Sequence, residues 1–309
     1  MKIVYFGTGE FSKNILANLH ATLKIVAAVS QPDKPVGRKK EYFPTPVKIY
    51  AEKNNIPIFQ PEKIRNNTDF FQTLRDVQAD FFVVVAYGKI IPPDILQIPK
   101  YGCVNVHGSL LPAYRGASPI QESVKNGDTQ TGITIMYMSE GMDEGDILAT
   151  QTVDIGPHET TPDIFAKFEH IAPKLLEKTL RDIVDKKIIP RPQSHENATY
   201  CSKIEKEDGH IFFLSQNGQK IYNLYRAYIS WPGIFTTFQE KTLKICECRF
   251  QKTSQKNHQT GQFFIQNGQY CIQCSDGILE IFEVQLEKKK MNIVDFVNGQ
   301  KNILSYIFQ

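Results

Sequence analysis

The chain has 309 residues, 41% of them hydrophobic and 22% charged, which suits a soluble protein of two domains, each with its own core. Its 36 basic and 33 acidic side chains leave a net charge of only +3, which excludes a polyelectrolyte binder acting through overall charge. No apolar run approaches the roughly 18 residues needed to cross a bilayer, and Met1-Lys2 passes straight into Ile3-Val-Tyr-Phe6, a first strand rather than a signal peptide, so a cytoplasmic location is expected.

Residues 2–6 predict a strand, followed by Gly7-Thr-Gly9-Glu-Phe-Ser12 and a helix through Leu19. A glycine turn between strand and helix suits a doubly wound α/β sheet. It is a poor dinucleotide fingerprint, because Ser12 replaces the third glycine and the next strand, 24–30, does not end in an acidic residue. Residues 31–46 carry four prolines, one glycine and clustered charges, a pattern that excludes a regular element and predicts a long, partly stiff loop. Five basic and two acidic side chains fall within 30–48. Arg38, Lys39 and Lys40, beside Tyr42 and Phe43, have the chemistry to grip phosphates and stack on an end base. Helices are expected at 47–53 and 69–77, and the continuous apolar run 79–86 reads as a central parallel strand. That strand ends in Tyr87-Gly-Lys-Ile-Ile-Pro92, a turn at the carboxyl end, where ligands bind in open α/β sheets.

Cys103-Val-Asn-Val-His107 then alternates small apolar residues with Asn105 and His107 before a turn rich in glycine and proline. Residues two apart on a strand share a face, so the carboxamide and the imidazole project side by side. Acyl transfer needs such a pair, a donor for an oxyanion and a group that carries a proton. A polar strand end with a satisfied histidine produces the same pattern. A helix at 118–124, strands at 131–138 and 147–155, the acidic loop Ser139-Glu-Gly-Met-Asp-Glu-Gly-Asp146 and a long amphipathic helix at 161–184 complete this half. Lys89 and Arg115 read as positioning or structural charges.

Residues 186–197 hold two prolines without periodicity and mark a linker. Beyond about residue 211, short alternating strands with Gln-Asn-Gly and Ser-Asp-Gly turns indicate a small β-barrel, interrupted by a helix at 218–228. Residues 206–309 carry twelve Lys/Arg against nine Asp/Glu. Cys246, Cys248, Cys271 and Cys274 lie in strand-like alternation rather than on the Gly-rich knuckles of zinc ribbons, so reduced strand cysteines are expected, and no metal.

Asn105-Val-His107, Ser109-Leu-Leu-Pro112, Arg115-Gly-Ala-Ser-Pro119 and Gly141-Met-Asp-Glu-Gly-Asp146, in this order, resemble the folate-dependent formyltransferase family. The resemblance extends from the Gly7 turn through residues 31–46 to Trp231-Pro-Gly-Ile-Phe235 and Gln285-Leu-Glu-Lys-Lys-Lys290. It implies an α/β protein with a doubly wound, Rossmann-like N-terminal catalytic domain (1–189), a linker (190–205) and a C-terminal OB-like β-barrel domain that binds tRNA (206–309). It implies Asn105, His107 and Asp143 as the catalytic set. Ser109, Leu110, Leu111 and Pro112, with Tyr87, Gly88, Ile90 and Ile91, would border the 10-formyltetrahydrofolate, and Arg38, Lys39 and Lys40 would meet the tRNA. The implied reaction moves the formyl group to the α-amine of methionyl initiator tRNA, with the enzyme acting as a monomer. Gly9, Lys39 and Met142 depart from the residues usual in the family, and none of the three is a catalytic group. Two rival readings use the same core: a formyltransferase acting on an amino-sugar nucleotide, and a tRNA-binding protein without catalysis. The basic Pro-rich loop argues against the first and the intact Asn105/His107/Asp143 set against the second.

Overall fold

Phe81–Val85 is buried at every one of its five positions, as an apolar run without alternation requires of a strand covered on both faces. In this structure, a computed structural model describing residues 1–36, 41–300 and 303–309, that strand lies at the centre of a seven-stranded sheet. The strands are β1 (Lys2–Gly7), β2 (Lys24–Val29), β3 (Ile58–Phe59), β4 (Phe81–Val85), β5 (Cys103–His107), β6 (Gln130–Tyr137) and β7 (Ile147–Asp154), in the order β7-β6-β5-β4-β1-β2-β3. The five from β3 to β5 are parallel, whereas β6 and β7 run antiparallel to their neighbours. Strand order therefore reverses between β1 and β4, and the crevice at the carboxyl ends of such strands is where doubly wound sheets bind ligands.

Local sequence sets the helices of this half. Glu10–His20 (α1) follows the Gly7 turn. Thr45 caps Pro46–Lys53 (α2) by accepting from Lys48 N at 3.2 Å, with proline in the first turn, where its missing N–H costs nothing. Asn67 caps Thr68–Asp76 (α3) in the same way. Val4, Phe6, Phe82, Val84, Leu74 and Tyr87 pack into one core, and each such side chain contributes about 1.5–3 kcal/mol on burial.

The region read as an irregular loop contains a short ribbon: Lys34–Val36 pairs antiparallel with Glu41–Phe43, Pro35 opposite Tyr42. Proline is tolerated there because a two-stranded ribbon consists only of edges, so one N–H of each pair faces away. Tyr42 and Phe43 are exposed. Arg38, Lys39 and Lys40 lie outside the described residues.

The described residues fall into two compact units, one comprising Met1–Pro119, Gln130–Asp154 and Phe165–Ser202, the other Ile120–Thr129, Ile155–Ile164 and Lys203–Gln309. Most of the stretch expected as a linker thus belongs to the first unit. Arg191 exchanges backbone hydrogen bonds of 2.8 and 2.9 Å with Ile147, and Tyr200–Cys201 pairs in parallel with Arg115–Gly116. Its prolines forbid periodicity but not edge pairing.

In the second unit β8 (Ile234–Phe238), β9 (Lys241–Lys252), β10 (Phe263–Gln266), β11 (Gln269–Gln273) and β12 (Gly277–Leu286) form an antiparallel sheet in the order β8-β9-β12-β11-β10, with β13 (Lys289–Asn292) on β12. Asn267 and Gly268 take positive φ values of 50° and 78° between β10 and β11, as a two-residue hairpin requires. The edge strands β8 and β10 are both covered by irregular segments. Ile211 N donates to Phe235 O at 2.9 Å, Phe213 N to Gln309 O at 3.0 Å and Phe263 N to Tyr306 O at 2.9 Å. The sheet is thereby drawn towards a barrel around Leu243, Ile245, Ile272, Ile281 and Phe308.

Candidate active site

β5 is buried along its whole length between β4 and β6, with Asn105 level with Val84 on one side and Met136 on the other, and His107 level with Thr134. Asn105 and His107 share one face and are 9% and 5% exposed. The two side chains differ in their bonding. His107 Nε2 lies 2.9 Å from the carbonyl oxygen of Tyr114, and its Nδ1 lies 3.6 Å from Asp143 Oδ2. With an acceptor at each nitrogen, the ring donates to both only when it carries both protons. The carboxamide of Asn105 makes no hydrogen bond to any described residue. The strand sets the direction of its Cα–Cβ bond, and no described residue engages its donors.

Asp143 arrives from the loop between β6 and β7 at φ 52°, a backbone region L residues rarely adopt. Its Oδ2 also accepts the N–H of Gly116 at 2.9 Å. Two glycines make this approach possible. A Cβ on Gly116 would overlap the carbonyl of Cys201, and one on Gly145 would overlap that of Tyr137.

The turn after β5 is held by Thr134, whose hydroxyl donates to Ser109 O at 2.7 Å and accepts from Leu111 N at 3.1 Å. Ser109 is fully buried and donates to Ala113 O at 2.6 Å, so its hydroxyl serves the turn itself. Leu111 packs on Met136 and Ile147, while Leu110 and Pro112 are half-buried. At the end of β4, Tyr87 and Ile91 are core residues and Gly88 and Ile90 are exposed. What Tyr87 offers the crevice is its backbone: its carbonyl accepts from Thr8 Oγ1 at 3.0 Å and Gln31 Nε2 at 2.7 Å. Its hydroxyl is buried without a partner among the described residues, and burial pushes its ionisation far up. Lys89 donates to the carbonyls of Pro61 and Glu62, which ties the turn to the chain before α3.

Arg115 is fully buried, with no carboxylate paired to it among the described residues. Its Nε and Nη2 donate to Gln193 Oε1 at 3.1 and 2.8 Å, and Nη1 lies 3.3 Å from His195 Nδ1. Gln193, Thr134 and Thr199, whose hydroxyl accepts from Tyr114 N and whose carbonyl accepts from Arg115 N, both at 2.8 Å, all shape the site, and sequence reasoning singled out none of them. For Thr134 the signal was present, a polar residue inside an apolar strand. For Gln193 there was none, since it lies in an aperiodic stretch.

The cysteines are all free. Burial pushes Cys271 up to about 11, Cys274 up to about 12 and Cys248 well above the ordinary thiol value. Among the described residues no cluster of three or more His, Cys, Asp or Glu is placed to hold a metal, and no helix is long and apolar enough to cross a membrane.

Asn105 and His107 on one strand face, with the Asp143 carboxylate 3.6 Å from the imidazole, supply the residue types that can stabilise an oxyanion and move a proton. Residues 1–180 match the formyl transferase family and residues 203–301 the C-terminal domain of formyl transferases; the chain belongs to the formyl transferase family. Among its relatives, the methionyl-tRNA formyltransferase of Caldicellulosiruptor saccharolyticus is 44% identical over 306 residues, covering 97% of each chain. That of Listeria monocytogenes serotype 4a is 38% identical, covering 98% of this chain and 97% of the other. Two solved structures share the fold at much lower identity. One is WlaRD, a sugar 3N-formyl transferase solved with dTDP and 5-N-formyl-THF (TM-score 0.65, 19% identity, 94% of this chain and 98% of that one). The other is the N-formyltransferase of Helicobacter canadensis in complex with folinic acid and dTDP-3-aminofucose (TM-score 0.66, 18% identity, 94% and 100%).

Proposed function

We propose that this chain transfers the formyl group of 10-formyltetrahydrofolate to the α-amine of methionyl initiator tRNA, for translation initiation. The observation that carries the reading is the meeting of Asn105, His107 and Asp143 with the Asn105 donors unengaged. In the reaction the amine nitrogen bonds to the formyl carbon, the bond from that carbon to N10 breaks, and a proton passes from the amine to N10. Negative charge develops on the formyl oxygen, and Asn105 donates to it. Loss of one such donor costs about a hundredfold to a thousandfold in rate. His107 supplies a second donor or carries the proton, and Asp143 Oδ2, 3.6 Å from Nδ1, orients the ring and balances its charge. The folate lies across the crevice between the turn at 87–91 and the turn at 109–112, with Gly88, Ile90, Leu110 and Pro112 offering surface and Tyr87, Ile91, Ser109 and Leu111 holding the walls in place.

The acceptor end of the tRNA is positioned by Arg38, Lys39 and Lys40, with diffuse phosphate contacts from residues 206–309. The enzyme works in the cytoplasm as a monomer. High identity to methionyl-tRNA formyltransferases over the whole chain favours this acceptor over an amino sugar. The test offers labelled formyl donor with methionyl-tRNA or an amino-sugar nucleotide in parallel; transfer to the nucleotide alone would overturn the reading. Arg38→Ala should depress single-turnover rate on methionyl-tRNA more than affinity, because misplacement costs rate. Normal turnover at saturating tRNA would remove Arg38 from the mechanism.

A further inference from the structure

Gln193 takes no part in the chemistry derived above, yet every hydrogen-bonding position of its amide is engaged. It is 7% exposed. Its Oε1 receives two donors from Arg115, at 3.1 and 2.8 Å. Its Nε2 donates to the carbonyl oxygens of Asp143, at 2.9 Å, and Gly145, at 2.7 Å. The partners settle the orientation of the amide, since guanidinium N–H groups need an acceptor and carbonyls need donors. The short strand Arg115–Gly116 therefore holds Asp143 twice. Gly116 N grips its carboxylate, and Arg115, through Gln193, grips its backbone. Asp143 requires such support, because a non-glycine residue at φ 52° persists only where its surroundings hold it.

We infer that Gln193 is a positioning residue for formyl transfer: it fixes the Asp143 backbone in the left-handed conformation that delivers Oδ2 to His107. The inference rests on the reaction proposed above. It assigns the 190–202 segment to the active site as a brace.

Gln193→Glu separates the two ends of the amide. The carboxylate keeps a partner for Arg115, while both donors to the Asp143 loop are replaced by an oxygen facing two carbonyls. Gln193→Met removes both interactions at similar volume. Each variant is compared with wild type for single-turnover transfer to methionyl-tRNA, KM for both substrates, melting temperature and amide exchange of residues 141–145. The Glu variant is also made in an Asp143→Asn background. Gln193→Glu should melt within a few degrees of wild type, lose about tenfold or more in turnover with KM for both substrates within about twofold, and exchange the 141–145 amides faster. In the Asp143→Asn background the same change should cost less than about threefold, since its target is already lost. Wild-type turnover in either folded variant, an undiminished loss in the Asp143→Asn background, unchanged amide exchange, or failure of both variants to fold would each overturn the assignment. Wild-type protein that transfers no formyl group would sink the proposed reaction instead, and amide exchange would still decide whether Gln193 braces the loop.

Discussion

Buried polar side chains of the second unit and Asn105 of the first do opposite things. In the second, Gln273 Nε2 donates to the carbonyls of Cys274 and Gly277, both at 3.0 Å. Arg226, on the Gly218–Tyr228 helix, donates to the carbonyls of Gly156 and Glu159 and to Asn223 Oδ1, which also receives Gln219 Nε2. These groups fasten backbone segments that form no regular ladder, and little of their capacity remains apart from Arg226 Nε. On β5 of the first unit, Asn105 is buried to a similar degree and fastens nothing. A polar group that is fully engaged is architecture. One with its donors unengaged is available to a group that develops charge later.

That contrast can be broken by experiment. The largest effect belongs to Asn105→Ala and His107→Ala, each expected to cut turnover at least about a hundredfold with folate binding and melting temperature little changed. More than a tenth of wild-type turnover, with both substrates saturating, would remove that residue from the catalytic set. Asp143→Asn comes next, with most activity lost and the circular dichroism spectrum and melting curve kept; unfolding instead would make the residue structural. Arg226→Leu should do the reverse. Removing the Arg226 hydrogen bonds to two carbonyls and to Asn223 Oδ1 costs about 2–3 kcal/mol, read as a lower urea midpoint, while turnover per folded molecule holds within about twofold. A rate loss as large as that of Asn105→Ala would erase the distinction between Arg226 and Asn105.

The smallest effect lies at the base of the ribbon. Hydrogen bonds from Gln60 and Lys48 hold the Asp33 carboxyl below its ordinary value, and Asp33 raises Lys48 in turn. A depressed carboxylate contributes stability above its unfolded pKa, about 4, and loses it as pH falls through the lowered folded value. The raised lysine contributes below its ordinary pKa and loses that as pH rises through the raised one. Asp33→Asn should therefore cost under about 1 kcal/mol at pH 7 and nothing once the wild-type carboxyl is protonated. A melting-temperature gap that persisted at pH 2 would mean packing, not charge, is at work.

How legible these features were depended on how local their causes are. Phe81–Val85 announced itself because a strand buried on both faces has no polar positions. Asn105 and His107 were readable as a pair because strand geometry alone puts residues two apart on one face. Asp143 came only through the resemblance, on the motif Gly141-Met-Asp-Glu-Gly-Asp146, because no local pattern says which distant side chain a loop carboxylate will meet. The Lys34–Val36 ribbon was hidden by prolines that an edge tolerates. Gln193 was invisible because its partners lie 48 to 78 residues away and no periodicity marks a side chain defined by a tertiary contact.

The cover over β8 and β10 has a consequence for how the second unit is made. Residues 210–213, which protect β8, leave the ribosome before any strand of that sheet, whereas 306–309, which protect β10 and pair with Phe213, follow all of them. During synthesis the sheet therefore exists for a time with an unpaired edge rich in Phe and Ile. Such an edge is a template for strands of other nascent chains. Stalling or proteolysis before residues 306–309 recreates that state after the rest of the unit has folded. Quality control would meet this protein while the β10 edge is still bare.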